Sequence, residues 1–219
     1  MLASEINLFL FPLPEVVLFP GMNLPLHIFE DRYKKMISEC LDRDKQLGIV
    51  LADDKYCAEV GTIAEIIDVE KLEDGKMNVL TEGKSRFKIV EFLKEEPYYE
   101  AKVQPYEDTE VELDDKFKKS LSTIKELSSK ALSIFDIISE EELSKKIKLP
   151  EEPNELLFLV AANLTCTYEA KQSILETRSI KARSKKILAL LKEEILRLEV
   201  LLENKKTKDF VVKNGKLEI

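Results

Sequence analysis

Glycine is distributed unevenly along this 219-residue chain: Gly21, Gly48, Gly61, Gly75 and Gly83 fall in its first half, and only Gly215 lies in the second. Sharp turns between strands draw on glycine, whereas helix interiors disfavour it. The first half therefore reads as short strands joined by turns, and the second, rich in Leu, Ile, Glu and Lys, as helices. Charge changes at nearly the same place. Residues 1–108 carry 22 acidic and 13 basic side chains, and residues 109–219 carry 20 and 21. The expected organisation is α+β: a β-rich lobe over 1–108, a helical bundle over 109–206 and a tail over 207–219. A charged connector near Glu107–Asp115 joins the lobes.

Within the first lobe, strands are expected at Ile6–Leu13, Leu47–Ala52, Val60–Leu72, Lys76–Thr81, Arg86–Leu93 and Tyr98–Val103. Asp74-Gly75 supplies the positive φ angles of a hairpin turn between the third and fourth of these. Pro20-Gly21 sets another turn, and Pro25 fixes an extended step. Phe19, Leu24, Leu26, Ile28 and Phe29 have core chemistry. One helix interrupts the strands, with Phe29, Tyr33, Met36, Ile37, Cys40 and Leu41 at helical spacing and Glu30 and Asp31 in its first turn.

In the second lobe, Phe117, Leu121, Ile124, Ala131, Phe135 and Ile138 form one stripe on a helix entered at Asp114 or Asp115. Ser139 and Glu142 fit a capping box for a short helix ending before Pro150. Pro153 opens the next helix, whose Leu156–Ala162 segment is apolar on every side and so belongs at the centre. Thr167 caps a further helix, and Ser179 caps the last, spanning ~25 residues. Phe210–Val212 reads as a short edge strand or nothing.

Chemistry-bearing motifs are scarce. His27 is the single histidine, set among apolar neighbours, and reads as structural. Cys40, Cys57 and Cys166 form no CxxC pair, an odd count that suits a reducing compartment, so a cytoplasmic location is expected. No zinc-ligand spacing is present. Gly83-Lys84-Ser85 resembles the end of a phosphate-binding loop, but Asn78 stands where that loop needs glycine and the residues between belong to a β-strand, so a hairpin is expected and no nucleotide site. No stretch approaches the ~20 apolar residues of a membrane span. The net charge of −8 argues against a dedicated nucleic-acid binder. Asp53-Asp54 and Glu95-Glu96 read as solvated surface. Between Lys171 and Lys192 seven bases face one acid, Glu176. That stretch is either a solvated face or a contact for an acidic partner through Arg178, Lys181, Arg183, Lys185 and Lys186.

The run from Leu10 to Tyr33 resembles the opening of the amino-terminal LON domain of the Lon ATP-dependent protease family, through Pro12-Leu13, Val16-Val17, Phe19-Pro20-Gly21, Pro25-Leu26, Phe29-Glu30 and Arg32-Tyr33. The similarity continues at Glu59–Ala64, Asp74–Val79 and Glu82–Phe87, and more weakly at Lys171–Thr177, covering about residues 6–204. The resemblance implies a β-rich, PUA-like pseudo-barrel lobe followed by a helical bundle ending in a long helix. It also implies recognition of substrate proteins. The sequence has neither the ATPase phosphate loop nor the Ser-Lys protease domain of Lon, so a stand-alone, non-enzymatic LON-domain protein without cofactors or metals is expected.

The expected partners are unfolded or client polypeptides, a protease or chaperone, and self-association. The expected contact residues are Phe19, Pro20, Met22, Arg32 and Tyr33, with Met22 the candidate for an exposed apolar contact. Glu30 is expected to pair with Arg32 or Arg86. Two alternatives stay open: RNA binding through the β lobe and the Lys171–Lys192 stretch, and an orphan Cys-His hydrolase using His27 with one of the thiols.

Overall fold

The computed structural model describes residues 5–109, 112 and 114–214, with the backbone alone from 208 onward. Its first part contains strands β1 (Ile6–Leu13), β2 (Asn23–Ile28), β3 (Gln46–Leu51), β4 (Val60–Lys71), β5 (Met77–Lys94) and β6 (Tyr99–Pro105), with helix α1 (Asp31–Leu41) between β2 and β3. The sheet runs β2-β5-β4-β3-β1-β6 and closes because β5 also pairs with β6. Among the described strands only β1 and β3 pair in parallel, with β2 and α1 forming the crossover between them. Five strands, β1, β3, β4, β5 and β6, thus make a ring, the pseudo-barrel expected from the resemblance.

Cross-strand register assigns the inner face of that ring. Leu10 stands opposite Gly48, Gly48 opposite Ile63, Gly61 opposite Phe87, and Leu8 opposite Ala101. Leu8, Leu10, Val50, Phe87, Ala101 and Val103 form one buried cluster. Phe87 fills the ring: a Cβ at Gly61 would lie 2.6 Å from its Cζ, and one at Gly48 would lie 2.9 Å away. Alternate residues face outward beneath α1, where Phe9, Phe11, Leu47, Ile49, Ala64 and Val79 pack against Tyr33, Met36, Ile37 and Cys40.

Helices α2 (Asp115–Ser139), α3 (Leu143–Lys146), α4 (Pro153–Asn163), α5 (Tyr168–Leu175) and α6 (Ile180–Asn214) follow. Asp114 caps α2 by accepting from Phe117 N–H at 2.7 Å, and Thr167 caps α5. Pro153 opens α4, whose Leu156, Leu157, Phe158, Val160 and Ala161 are buried. The helical core reaches into the first lobe, taking in Val17, Phe19 and Val60. Among the described residues no helix is long and apolar enough to cross a membrane.

Several expectations differ from the structure. Lys76–Thr81 and Arg86–Leu93 are one strand, β5, because Gly83 does not break it. Gly83 instead admits the Phe19–Met22 turn. Its carbonyl accepts Gly21 N–H at 2.7 Å, its N–H donates to Met22 O at 2.9 Å, and a Cβ there would sit 2.4 Å from Phe19 O. The β4–β5 hairpin forms where expected, but of Asp74-Gly75 only Gly75 takes a positive φ. Ser139 caps nothing: it remains inside α2, its hydroxyl donating to Phe135 O. Asp136 does that work for α3, accepting the N–H groups of Leu143 and Ser144. On α2, Ile134 is buried and Phe135 is exposed. Phe29 precedes α1 and is 59% exposed, not in the core. Phe210–Val212 continue α6, which has 35 residues, about 52 Å at 1.5 Å per residue.

The two lobes meet at a buried ion cluster. Asp108 accepts from Arg86 Nη2 at 2.5 Å and receives both terminal nitrogens of Arg183. Arg86 also donates to the carbonyls of Leu175 and Thr177, and Arg183 to Thr177 O and Asn154 Oδ1. The side chains of Arg86 and Arg183 are 4% and 0% exposed. Burial, then the neighbouring Arg183, lowers the pKa of Arg86 from its ordinary value, and Asp108 opposes both. Removing the shared carboxylate would strand two buried cations. Asp108→Asn is expected to cost about 3–5 kcal/mol, read as a lower urea midpoint, whereas replacing both arginines by Met in the same background should recover part of that loss.

Candidate functional site

Period-two alternation carries the inner row of the barrel outward at one end. Pro12 follows Leu10 by two residues, Ala52 follows Val50, and Tyr99 precedes Ala101, so all three lie on the same face one step beyond the closed core. There the ring opens into a groove of about 700 Å³. Leu10 and Val50, both 1% exposed, make its floor. Pro12, Pro14 and Ala52 flank it. Phe92 and Tyr99 form an aromatic wall, their rings edge to face at 5.8 Å. Beyond Leu10, β6 gives β1 no further partner, which is why this end of the barrel stays open.

The rim is polar and mainly acidic: Asp53, Asp54 and Glu95 with Arg32. Asp53 organises its loop by accepting the N–H groups of Lys55 and Tyr56. Among the described residues none of the three acids makes an ion pair. Arg32 is already matched, its Nε donating to Glu30 at 2.8 Å and its guanidinium lying 4.5 Å from the Tyr33 ring centroid. Glu30 therefore pairs with Arg32 and leaves Arg86 to Asp108.

Of the residues expected to contact a partner, Arg32 and Tyr33 line this groove. Phe19 does not reach a surface: it is 0% exposed and packs 5.9 Å from the Phe158 ring. Pro20 is half-buried in the turn clasped to Gly83. Met22 is half-buried against the α1 core, not an exposed apolar contact, because the same clasp holds it down. Pro12, Pro14, Phe92, Tyr99, Asp53, Asp54 and Glu95 were not singled out by sequence reasoning for this role. The usable signal was strand alternation counted outward from Leu10 and Ala101.

The basic stretch is mostly committed to this chain's own acids and carbonyls. Arg183 is buried on Asp108, so it is withdrawn as an acidic-partner contact. Lys181 pairs with Asp114 at 2.5 Å, Arg178 donates to Glu107 O, Lys171 to Ala162 O and Lys186 to Ser173. Lys185 stands exposed without such a partner among the described residues. The acids of the connector thus meet the cations at the α6 N-terminus, where the helix dipole alone would disfavour them.

His27 is exposed on β2, its Nδ1 2.9 Å from Asn78 Oδ1, with Asn78 donating on to Glu70. Burial raises all three thiols from their ordinary pKa, Cys40 to about 12. A nucleophilic cysteine needs the opposite shift. Among the described residues no cluster of three or more His, Cys, Asp or Glu could hold a metal ion.

A family model described as the ATP-dependent protease La (LON) substrate-binding domain matches residues 7–193. The Lon protease of Anaeromyxobacter dehalogenans is 31% identical over 199 residues, covering 85% of this chain and 23% of its own. That of Syntrophus aciditrophicus is 28% identical over 200 residues, covering 86% and 25%. The chain thus spans about a quarter of the length of these relatives. Among solved structures, the N-terminal domain of Mycobacterium avium complex Lon protease superposes with a TM-score of 0.67 at 19% identity, covering 85% of this chain and 98% of that one. A Lon N-terminal domain protein from Xanthomonas campestris gives 0.65 at 22%, covering 84% and 98%.

The raised thiol of Cys40 and the phenol of Tyr98 have a stability consequence. Burial, with a hydrogen bond to Glu39, lifts Tyr98 to about 12 as well. Above the unfolded thiol value, about 8.5, the unfolded chain releases a proton that the folded chain keeps. Stability is therefore full below about pH 8.5 and falls progressively as pH rises toward 12. Urea midpoints measured across that window should decline, and Cys40→Ala should flatten the first part of the decline.

Proposed function

The chain belongs to the ATP-dependent protease La (LON) substrate-binding domain family, and from that membership we propose that it is a non-catalytic docking module that holds a polypeptide in the open end of its barrel. The observation that carries this reading is the groove itself. It has a sealed apolar floor, an aromatic wall on rigid strands and a polar rim, in a volume of about 700 Å³. Such a shape takes an extended segment whose alternate side chains descend onto Leu10 and Val50 while its backbone stays near the rim. Aromatic side chains on strands supply contact area at low entropic cost.

Client polypeptides, or a protease or chaperone presenting an exposed segment, are the partners of this reading. Binding alone is the work: surface complementarity, with no bond made or broken. The raised thiols and the surface-bound His27 favour this reading over a Cys-His hydrolase. RNA binding draws less support, since most cations of the Lys171–Lys192 stretch already have internal partners.

The test uses a fluorescent, permanently unfolded polypeptide carrying Leu and Phe. Phe92→Ala with Tyr99→Ala should weaken its binding by about tenfold or more, with thermal stability little changed because both rings are exposed. Cys57, which lines the same groove, offers an independent readout. Saturating polypeptide should slow its alkylation, while the rate at Cys166, outside the groove, stays the same. Wild-type protein that fails to bind any such chain, with Cys57 labelling unaltered, removes the proposal.

A further inference from the structure

The rim of the groove carries a charge imbalance that the apolar floor does not require. Asp53 and Asp54 stand on one bank, in the loop after β3, and Glu95 on the other, just after β5. All three are exposed, and among the described residues none is in a salt bridge. Arg32, the one cation lining the groove among the described residues, is held by Glu30 at 2.8 Å. Nearby Lys94 is drawn aside over the Tyr98 ring at 5.2 Å. Among the described residues some carboxylates of this lobe are paired, as where Glu65 and Glu82 share Lys84, Glu91 takes Lys102, Glu59 takes Lys88 and Asp74 takes Lys76, and others such as Asp68, Glu73 and Glu96 are not. The groove is thus a place where acids from two banks converge unpaired on an apolar trench. The background field has the same sign, since residues 1–108 hold 22 acids against 13 bases.

Resting on the docking reading above, we propose that the groove selects extended polypeptide segments in which Lys or Arg is interleaved with apolar residues. The apolar side chains occupy the floor between Pro12 and Tyr99. The cations rise to the rim, where Asp53 and Asp54 meet one and Glu95 meets the next. An Arg guanidinium or Lys ammonium rising past Phe92 and Tyr99 also gains the faces of those rings. Anionic segments are turned away by the same three carboxylates, which gives the site discrimination as well as affinity. The occupant is a segment of another protein, cationic and amphipathic along its extended length.

The experiment compares three labelled peptides of equal length and identical Leu and Phe positions, differing only in whether the intervening residues are Lys, Ser or Glu. Fluorescence anisotropy with the full chain should rank them Lys, Ser, Glu, with the Lys peptide about tenfold tighter than the Glu peptide at low salt. Raising salt from about 50 mM to about 500 mM should shrink that ratio, because exposed charges are screened beyond a few ångströms. The variant Asp53→Asn, Asp54→Asn, Glu95→Gln should lose most of that ratio, its affinities drawing together near the wild-type affinity for the Ser peptide. Circular dichroism checks that this surface variant keeps its fold. Equal wild-type affinities for the three peptides, or a Lys preference that the triple variant leaves undiminished, overturns charge selection and leaves the docking reading intact. Failure of all three to bind overturns both.

Discussion

One carboxylate, Asp108, holds two buried guanidinium groups, and the mutual placement of the two lobes depends on it. Arg86 comes from the middle of β5 and Arg183 from the first turns of α6. The carbonyls of Leu175, at the end of α5, and Thr177, in the turn before α6, take the remaining positive character. A buried charge must be matched in place, since water is not there to match it. The cluster therefore tolerates few alternative alignments, whereas the neighbouring contact of Phe19 with Phe158 could slide at little cost. Among the described residues Arg183 Nε has no hydrogen-bond partner, and its guanidinium lies 4.4 Å from the Phe158 ring centroid, so part of its solvation comes from a ring face. Gln172 adds a second tie, donating from α5 to Val60 O at the start of β4.

From that anchor, β5 transmits position to the groove. Arg86 points into the seam, the next residue, Phe87, points into the barrel, and Phe92 reaches the open end. Alternation sets Arg86 and Phe87 on opposite faces, and the register shift between Ile89 and Glu91 returns Phe92 to the inner face, opposite Ala101. Phe87 presses on the backbone at Gly48 and Gly61, so β3 and β4 cannot shift without displacing the ring. Phe92 is thus carried by a strand fixed at the seam by Arg86 and inside the barrel by Phe87. A docking surface built on strands gives up less entropy on binding than one built on loops.

What could be read in the sequence was what local chemistry decides. Pro20-Gly21 turns where expected because proline presets one φ and Gly21 supplies the positive one. Thr167 caps α5 because its hydroxyl needs only the N–H three residues on. The α+β division followed from glycine and charge alone. Errors came where a distant partner set the outcome. Lys76–Thr81 and Arg86–Leu93 read as two strands, yet they are one, and the missing side chain of Gly83 between them makes room for Phe19 O. Ser139 had the spacing of a cap, but it stays inside α2, and Asp136 holds the start of α3 through the N–H groups of Leu143 and Ser144. The helical stripe on α2 drifted by one residue, burying Ile134 and exposing Phe135. Of the groove, only Arg32 and Tyr33 were anticipated, and those through a motif. Asp53, Asp54 and Glu95 come from loops more than forty residues apart, and no local pattern brings them together.

The same long-range pairing explains why the charge asymmetry of the chain points to the groove and not to the basic stretch. Counted along the sequence, Lys171 to Lys192 is the most polarised segment. Folding cancels much of that contrast by sending Asp108 and Asp114 to Arg183 and Lys181 and by spending Arg178, Lys171 and Lys186 on carbonyls and a hydroxyl. The carboxylates of the barrel mouth undergo no such cancellation, because β-hairpin partners pair along strands and these three lie past the strand ends. Charge that is conspicuous in sequence is consumed in building the molecule, and charge that reads as ordinary solvated surface is what remains to act on something else.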